Sequence, residues 1–542
     1  MLKEWMDKKI LFLGDSITHN GLYVDFFETY LIQYYFSNYE GSIIRLGLSS
    51  ETVSGLSEVE HPFPRPCLHE RLDRTLAAIK PDVVFLCYGM NDGIYAALDE
   101  KRFSAFKTGL LKAIDKIHAT GAEVIVMTPT PFDVHSFSVR LSDELVPDAG
   151  YQHPYKNYND TLKAYAEWIM TLGEKEGVLK TIDLFTPMTN FLHATYERDP
   201  AYSSGDGIHP NNIGHWIMTK AIIKQLFNIT LNRMPFYVQK SGPGDFFNLL
   251  WFDNETISNA WREEIGHTLP NKDIHALSVE NAYAKSNRQE IIKMAREDAK
   301  RISESKWKGY RKLDFYLDGR EGTLIVPENP REDGMWIWRT EFLGAFDMAD
   351  MAMLKQGYYL AYYCISDMYG NAKAVKLMEE FRGFIMGYFK LSAKPILFGF
   401  SRGGLYAVNY TAKYFLYVTA LYLDAPVLDI NSWPRGAGVG EGTPGCWEEC
   451  KMCYGLTDET ADSFNQNPLD KVQALLDAAI PVILVAGDAD TLVPYSENGE
   501  KFAKLYENSG KFKLILKPDC GHHPHSLEDP TPIIDFLNDC IE

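Results

Sequence analysis

The sequence is short of positive charge. Its 542 residues include 54 lysines and arginines against 73 aspartates and glutamates, which gives a formal net charge of −19. Nucleic acids and anionic membrane surfaces are themselves negatively charged and would repel such a chain. The composition therefore predicts neither a nucleic-acid partner nor a membrane partner, and it favours a neutral or small substrate. It makes no prediction of the oligomeric state.

Cysteines and long apolar runs are also scarce. The eight cysteines are sparse, and Cys87 and Cys364 lie in apolar runs where a thiol packs as a small hydrophobic group. Cys446, Cys450 and Cys453 cluster, but no fourth ligand follows at a zinc-finger spacing, so we expect no metal site. No uncharged stretch is long enough to span a bilayer, and the first apolar run is too short for a signal-peptide core. The sequence predicts a cytoplasmic protein.

Internal repeats and low-complexity tracts are absent. The glycine-rich stretch GAGVGEG at 436–442 does not stand between a strand and a helix, so it is not a dinucleotide-binding fingerprint. We therefore expect no organic cofactor.

Alternating strand-like and helix-like segments fill the first part of the chain, from residue 8 to about 225. The predicted strands are too apolar to be half exposed; they are KKILFLGD, GSIIRLGL, PDVVFLCYG, AEVIVMTPT and LKTIDLF. This pattern is typical of a parallel sheet with helices on both faces. It predicts an α/β domain over residues 1–230, with its ligand site at the carboxyl ends of the strands.

The remainder of the chain divides into two regions. Residues 231–308 are charged and helical in period, which predicts a helical connecting segment. A second strand-and-helix alternation runs over residues 309–542 and includes KPILFGFS, VTALYLDAP, PVILVAGDAD and FKLILKPDC. We expect a second α/β domain there, because a chain of this length is too long for a single core.

Three motifs of the first domain contain the parts of a nucleophilic serine site. GDSIT places Ser16 directly after the first predicted strand, and DGIHP supplies Asp206 and His209 three residues apart. The carboxylate of Asp206 can hold one imidazole nitrogen while the other faces a serine. GMND supplies Asn91 after the third strand, where its amide can donate to an oxyanion.

In order and context, these motifs resemble the SGNH hydrolases, also called GDSL-type esterases, over residues 8–225. The resemblance implies a flavodoxin-like parallel sheet, with Ser16 as nucleophile, Asp206 as acid, His209 as base and Asn91 as oxyanion donor. Where the family has an oxyanion glycine after the second strand, this sequence has Ser50 in RLGLSSETV. A serine backbone N–H can still donate, provided that the local dihedral angles suit a side chain.

The second domain contains another set of such motifs. GFSRG gives Ser401 the G-x-S-x-G pattern between a predicted strand and a helix, which is the context of a nucleophile elbow. Asp490 in GDADTLVP and His522 in CGHHPHSL follow later strands, in the order serine, acid, histidine.

Other residues could fill two of these roles. Asp424 in LYLDAP also follows a strand and is an alternative acid, and His523 or His525 is an alternative base.

This half of the chain resembles the α/β-hydrolases, and more narrowly a bacterial esterase group that includes enzymes acting on esters of plant cell-wall polysaccharides. The likeness lies in WIWRTEF, GFSRGGLY, LDAPVLD, GDADTLVPYSEN and GHHPHSLEDPTPI. The resemblance implies oxyanion donors at the backbone N–H of Arg402 and at one near Trp338, in an early loop.

Together the motifs predict a bifunctional carboxylic-ester hydrolase. We expect it to remove acetyl or other small acyl groups from plant-derived oligosaccharides without metal or organic cofactor. Two alternatives stay open: the second domain could be a peptidase or lipase, or one domain could be a glycan-binding module without catalysis. The first domain would be the one without catalysis, because Ser50 replaces the family glycine.

Overall fold

The computed structural model describes residues 8–35, 43–59, 61–137, 141, 150–239, 245–266 and 276–541. The chain divides into two compact units, and the division falls between Ala299 and Lys300. None of the helices in the described ranges combines the length and low polarity needed to cross a bilayer.

The sheet of the first unit is parallel throughout. Its strands are β1 (Ile10–Gly14), β2 (Ile43–Arg45), β3 (Val83–Cys87), β4 (Glu123–Met127) and β5 (Val178–Ile182). They lie in the order β2-β1-β3-β4-β5, and every neighbouring pair is parallel. This is the flavodoxin-like order. The predicted parallel α/β sheet is confirmed. Four of the five predicted strands contain the observed strand, and the fifth, LKTIDLF, overlaps β5 but begins one residue later than β5 does.

Two apolar cores cover the sheet because neighbouring side chains on a strand point to opposite faces. On β1, Phe12 packs into one core, and Leu11 and Leu13 pack into the other. The helices of this unit are α1 (Ser16–Asn20), α2 (Leu22–Tyr30), α3 (Leu72–Ile79), α4 (Glu100–His118), α5 (Tyr158–Met170), α6 (Phe185–Arg198), α7 (Asn212–Phe227), α8 (Phe236–Gln239), α9 (Phe246–Ile265), α10 (Val279–Lys285) and α11 (Arg288–Ala299).

Helices α8 to α11, which the sequence places in a connecting segment, cluster with the first unit. Buried polar groups join them to it. Asn254 on α9 donates to Asp25 at 2.7 Å and to Glu28 at 2.9 Å, and Arg45 at the end of β2 pairs with Glu255 at 2.9 Å. Burial raises the pKa of Asp25 to about 7. Helical periodicity alone does not reveal such pairings, so the boundaries at 230 and 308 differ from the division at 299.

The second unit contains a mixed sheet. Its strands are β6 (Ser303–Trp307), β7 (Tyr310–Leu317), β8 (Arg320–Val326), β9 (Trp336–Arg339), β10 (Tyr359–Tyr363), β11 (Ile396–Phe400), β12 (Ala420–Asp424), β13 (Val482–Gly487) and β14 (Phe512–Lys517). Their order is β14-β13-β12-β11-β9-β10-β8-β7-β6. Three neighbouring pairs are antiparallel, namely β6 with β7, β7 with β8 and β8 with β10. The other neighbouring pairs are parallel.

This sheet also has an apolar core on each face. On β11, Leu397 belongs to one core, and Ile396, Phe398 and Phe400 belong to the other. The helices are α12 (Met348–Lys355), α13 (Ala372–Phe389), α14 (Gly403–Tyr414), α15 (Pro444–Tyr454), α16 (Asp458–Ala461), α17 (Val472–Asp477), α18 (Gly499–Tyr506) and α19 (Thr531–Asp539). The parallel strands β11 to β14 end on the same side, where their following loops meet.

Candidate active sites

Ser16 lies at the carboxyl end of β1 and begins α1, which is capped by Asp15. The Oγ atom of Ser16 lies 2.8 Å from Nε2 of His209, and Nδ1 of His209 lies 2.7 Å from Oδ2 of Asp206. An ionised carboxylate can only accept hydrogen bonds, so Nδ1 carries the proton. The free lone pair of Nε2 then faces the Ser16 hydroxyl, as a general base requires.

Asp206 also holds the backbone that carries the histidine. Its Oδ1 accepts the N–H groups of Ile208 at 2.9 Å and of His209 at 2.7 Å. Partial burial raises the pKa of Asp206, but the hydrogen bonds from His209 and Ile208 outweigh it and lower the pKa to about 2. The hydrogen bond that His209 donates to Asp206 in turn raises the pKa of His209. Asp206 is therefore charged at neutral pH and stabilises an imidazolium.

Asp133 anchors the same loop, and the sequence analysis did not identify it. Its Oδ2 accepts from Ser204 at 2.5 Å, Ser136 at 2.7 Å and Tyr196 at 2.6 Å. Its backbone N–H donates to the carbonyl of Gly207 at 2.8 Å. These bonds connect the loop after β4 to the segment that carries Asp206 and His209.

The loop after β2 lies against the Ser16 turn. A Cβ atom at Gly47 would lie only 2.1 Å from the backbone nitrogen of His19, so only glycine permits this approach. Ser50 has φ +65°, the left-handed conformation that glycine adopts most readily. The next residue, Glu51, accepts a hydrogen bond on its backbone carbonyl from Nδ2 of Asn91 at 3.2 Å. Ser50 and Asn91 therefore belong to adjoining loops.

A buried ion pair supports these loops, again without a signal in the sequence. Arg71 donates two hydrogen bonds of 2.7 Å to the Glu51 carboxylate, which also accepts from Tyr88 at 2.6 Å. Arg71 donates to the carbonyl of Leu46 as well, at 2.7 Å. The partners come from different elements, so a local motif could not have indicated the pairing.

Ser401 lies between β11 and α14 with φ +49°. Positive φ in a non-glycine residue is strained and concentrates at functional sites. The Oγ atom of Ser401 lies 2.9 Å from Nε2 of His522, and Nδ1 of His522 lies 2.7 Å from Oδ2 of Asp490. Oδ1 of Asp490 accepts the N–H groups of Leu492 at 2.9 Å and Val493 at 2.8 Å.

The alternative acid, Asp424, hydrogen-bonds to a different histidine. Its Oδ1 lies 2.7 Å from Nδ1 of His525, and its Oδ2 accepts from Tyr422 at 2.5 Å and from the N–H of Ser526 at 2.9 Å. Its backbone carbonyl accepts the N–H of Ser401 at 2.9 Å. Asp424 therefore connects the serine turn to the histidine loop, and among the described residues its hydrogen bonds do not include His522.

Of the alternative bases, neither histidine hydrogen-bonds to Ser401 within the described residues. His525 is buried against Phe400, and His523 is exposed with its ring stacked on Phe346. The structure brings Ser401, His522 and Asp490 together, and it places His523 and His525 beside them.

The position of Trp338 is corrected by the structure. Trp338 lies inside β9, opposite Ala361 on β10 and Leu397 on β11, and its ring is buried next to Trp336. It is a strand residue and not part of a loop, because its apolar neighbours continue the core of the sheet.

The loop after β9 is the one that approaches the serine turn. A Cβ atom added at Gly403 would lie 3.2 Å from the Cβ atom of Glu341, which belongs to this loop. Its carboxylate faces the guanidinium of Arg402 at 3.5 Å. Phe342 follows with φ +55°, and the Arg402 guanidinium lies 5.6 Å from its ring centre. This loop, and not Trp338, adjoins residues 401–403.

Residues 12–217 match the GDSL-like Lipase/Acylhydrolase family, so the first unit carries a GDSL-like domain over these residues. The match supports ester hydrolysis by this domain. No curated protein matches the sequence significantly.

Several solved structures resemble parts of the chain. A gut microbial diltiazem-metabolizing enzyme is 21% identical over 40% of this chain and 46% of its own, with a TM-score of 0.33. This chain thus spans less than half of that enzyme. A catalytic mutant of Axe2, an acetylxylan esterase from Geobacillus stearothermophilus, is 19% identical over 42% of this chain and 97% of its own, with a TM-score of 0.31. Dipeptidyl peptidase 4 of Porphyromonas gingivalis is 14% identical over 44% of this chain and 35% of its own, with a TM-score of 0.32. Likeness at this level does not indicate a substrate.

Proposed function

We propose that this protein is a serine ester hydrolase with two active sites, one in each unit. One observation carries the proposal: each unit has a serine at a strand end whose Oγ lies within 2.9 Å of a histidine Nε2, and that histidine lies 2.7 Å from a carboxylate. In each site the histidine removes the serine proton as Oγ attacks the ester carbonyl. It then returns the proton to the leaving alcohol, and water releases the acyl group by the same steps.

The oxyanion of the first site is stabilised by the backbone N–H of Ser50 and by Nδ2 of Asn91. Ser50 already has the glycine-like φ of +65°. Within the described residues its N–H donates no hydrogen bond, so it is available to a ligand. The replacement of the family glycine is therefore compatible with catalysis, and we assign a catalytic role to the first domain as well.

The oxyanion of the second site is stabilised by the N–H of Arg402 and by an N–H of the loop that follows β9. We assign the α/β-hydrolase fold to this unit. The strained serine between β11 and α14 supports the assignment, and so does the position of Asp490 and His522 after β13 and β14. The domains that we propose are therefore 1–299 and 300–542.

The substrates that we propose are esters of small acyl groups, mainly acetyl, on plant-derived oligosaccharides. The support is the resemblance of the second half to polysaccharide esterases, together with the chain's acidic composition, which disfavours polyanionic substrates. One oligosaccharide can carry acyl groups at two positions, so it can be a substrate for both of the tethered hydrolases.

Labelling with a fluorophosphonate tests the two sites directly, because the reagent modifies only an activated serine. We expect two labels on the wild-type chain, one on Ser16→Ala, one on Ser401→Ala and none on the double variant, counted by intact-protein mass. Each single variant should also retain one ester-hydrolysing activity. A single variant that takes no label contradicts the two-site proposal.

The substrate class is tested on the same two variants. Aryl esters from acetyl to octanoyl, together with acetylated xylo- and pectic oligosaccharides, should show a preference for acetyl and release of acetate from an oligosaccharide. Faster turnover of octanoyl esters with no acetate released points to a lipase. Cleavage of a peptide aryl amide by Ser16→Ala points to a peptidase in the second unit.

As the pH is lowered, the first site should lose activity at a higher pH than it would if its base had the pKa of a free histidine. Asp206 raises the pKa of His209 above 6.5, and the base works only when neutral, so kcat/KM falls as the pH drops through this raised value. Asp206→Asn should move the acidic limb to lower pH. The profiles are measured in the Ser401→Ala background, where only the first site contributes. An acidic limb that Asp206→Asn does not shift contradicts the assignment of His209 and Asp206.

A further inference from the structure

Three histidines lie together beside Ser401. The rings of His522, His523 and His525 form a nearly equilateral triangle, with centroids 4.8, 4.8 and 4.9 Å apart and ring planes at 65°, 81° and 82° to one another. One nitrogen from each ring lies within 4.8 Å of the others. In the described part of the chain, no other group of three or more histidines, cysteines or carboxylates comes together in this way.

Two of the three rings are already oriented as metal ligands usually are. His522 donates Nδ1–H to Asp490 and His525 donates Nδ1–H to Asp424, both at 2.7 Å. A carboxylate that holds Nδ1–H fixes the tautomer and leaves Nε2 as a free lone pair, which is the arrangement found behind metal-binding histidines. Asp424 and His525 support the histidine loop, but they have no part in the proposed ester hydrolysis.

The third ring leaves a route from solvent. His523 is exposed, and within the described residues its ring makes no hydrogen bond. The ring stacks on Phe346 at 5.3 Å and contacts the other two imidazoles. An exposed imidazole can rotate toward the other two at little cost. Zinc binds histidine nitrogens at about 2.0–2.1 Å in tetrahedral geometry, which places the nitrogens about 3.3 Å apart. The ligand atoms lie within 4.8 Å of one another, so the widest separation must close by about 1.5 Å.

We infer that His522, His523 and His525 form an inhibitory site for a borderline-soft divalent cation such as Zn²⁺. The cation binds the lone pairs of Nε2 on His522 and His525 and one nitrogen of His523, with water or the Ser401 hydroxyl as a fourth ligand. Bound in this way it occupies the Nε2 lone pair of His522 that would otherwise accept the Ser401 proton. Cation binding and ester hydrolysis at Ser401 therefore exclude each other. The inhibition rests on the proposed function, whereas the binding does not.

Zinc binding is measured first, by competition with a chromophoric chelator on the full-length Ser16→Ala chain. We expect one Zn²⁺ per chain and at least a tenfold weaker binding in the same chain with His523→Gln, which removes the exposed ligand. His193→Gln is the matched control, because His193 is an exposed histidine on α6 and its loss should change nothing. Binding that is absent, or that His523→Gln leaves unchanged, overturns the inference, whether or not the chain is an esterase.

Inhibition is measured second, as the activity of each variant with Zn²⁺ divided by its own activity without it. This ratio cancels any change in basal activity. We expect this activity ratio to fall to one tenth or less in the parent chain and to stay near one in His523→Gln. A chelator should restore the activity of the parent chain. Tight binding at the three histidines without a fall in the ratio contradicts the inhibitory role. If the parent chain hydrolyses no ester, the proposed function fails and the binding result alone decides whether the cation site exists.

Discussion

Asp490→Asn is expected to lower turnover at Ser401 by about 10⁴-fold, the scale of losing the carboxylate that orients a catalytic histidine. Oδ2 of Asp490 accepts Nδ1–H of His522 at 2.7 Å. An asparagine can present its NH₂ group there, which favours the wrong tautomer and leaves a proton on the nitrogen that must accept one from Ser401. The developing imidazolium also loses its counter-charge. Turnover is measured in the Ser16→Ala background, where only the second site acts.

The control for this variant is its thermal unfolding, which shows whether the fold is intact. Oδ1 of Asp490 accepts two backbone N–H groups, and the asparagine carbonyl can still accept them, so thermal unfolding should change little. Near-normal turnover in Asp490→Asn would remove this residue from the catalytic site and return the acid role to Asp424.

Asp424→Asn is expected mainly to lower the free energy of unfolding of the second unit, by roughly 2–5 kcal/mol. The NH₂ group of the asparagine would face another buried donor, and both donors would then lack a hydrogen-bond acceptor. The Asp424 carboxylate is fully buried and accepts from Tyr422, His525 and the Ser526 N–H. Burial acts to raise its pKa, but the hydrogen bond and charge of His525 outweigh it, so the pKa lies below its usual value. An amide in this place can accept on one side only.

Hydrogen exchange of peptides from β11 to β13 measures this loss locally, since the two units need not unfold together. We expect faster exchange in Asp424→Asn and a smaller fall in turnover than in Asp490→Asn, measured where the protein is still folded. Unchanged exchange with turnover as low as in Asp490→Asn would make Asp424 the acid. The pair of variants thus separates orientation of the catalytic histidine from support of its loop.

The sequence by itself determined the elements that depend on neighbouring residues. Short apolar runs followed by turn residues predicted the strands, because a strand buried on both faces needs an unbroken apolar sequence, as in ILFLG of β1. The serine motifs were recognisable for the same reason: GDS and GFSRG span the ends of their strands, at Gly14 and Phe400. DGIHP also carries acid and base within one turn, so the partners Asp206 and His209 were set by local spacing.

Only the tertiary structure decided the contacts between distant parts of the chain. LYLDAP places Asp424 at the end of a strand and GDADTLVP places Asp490 after one. The choice between them depends on which carboxylate reaches His522, which is Asp490 at 2.7 Å. In the same way, Trp338 lies inside β9 because the strands on both sides pair with it. Helices α8 to α11 join the first unit because buried pairs such as Asn254 with Asp25 hold them there. These are pairings across tens to hundreds of residues, and local composition cannot specify them because each partner's pattern is compatible with several positions.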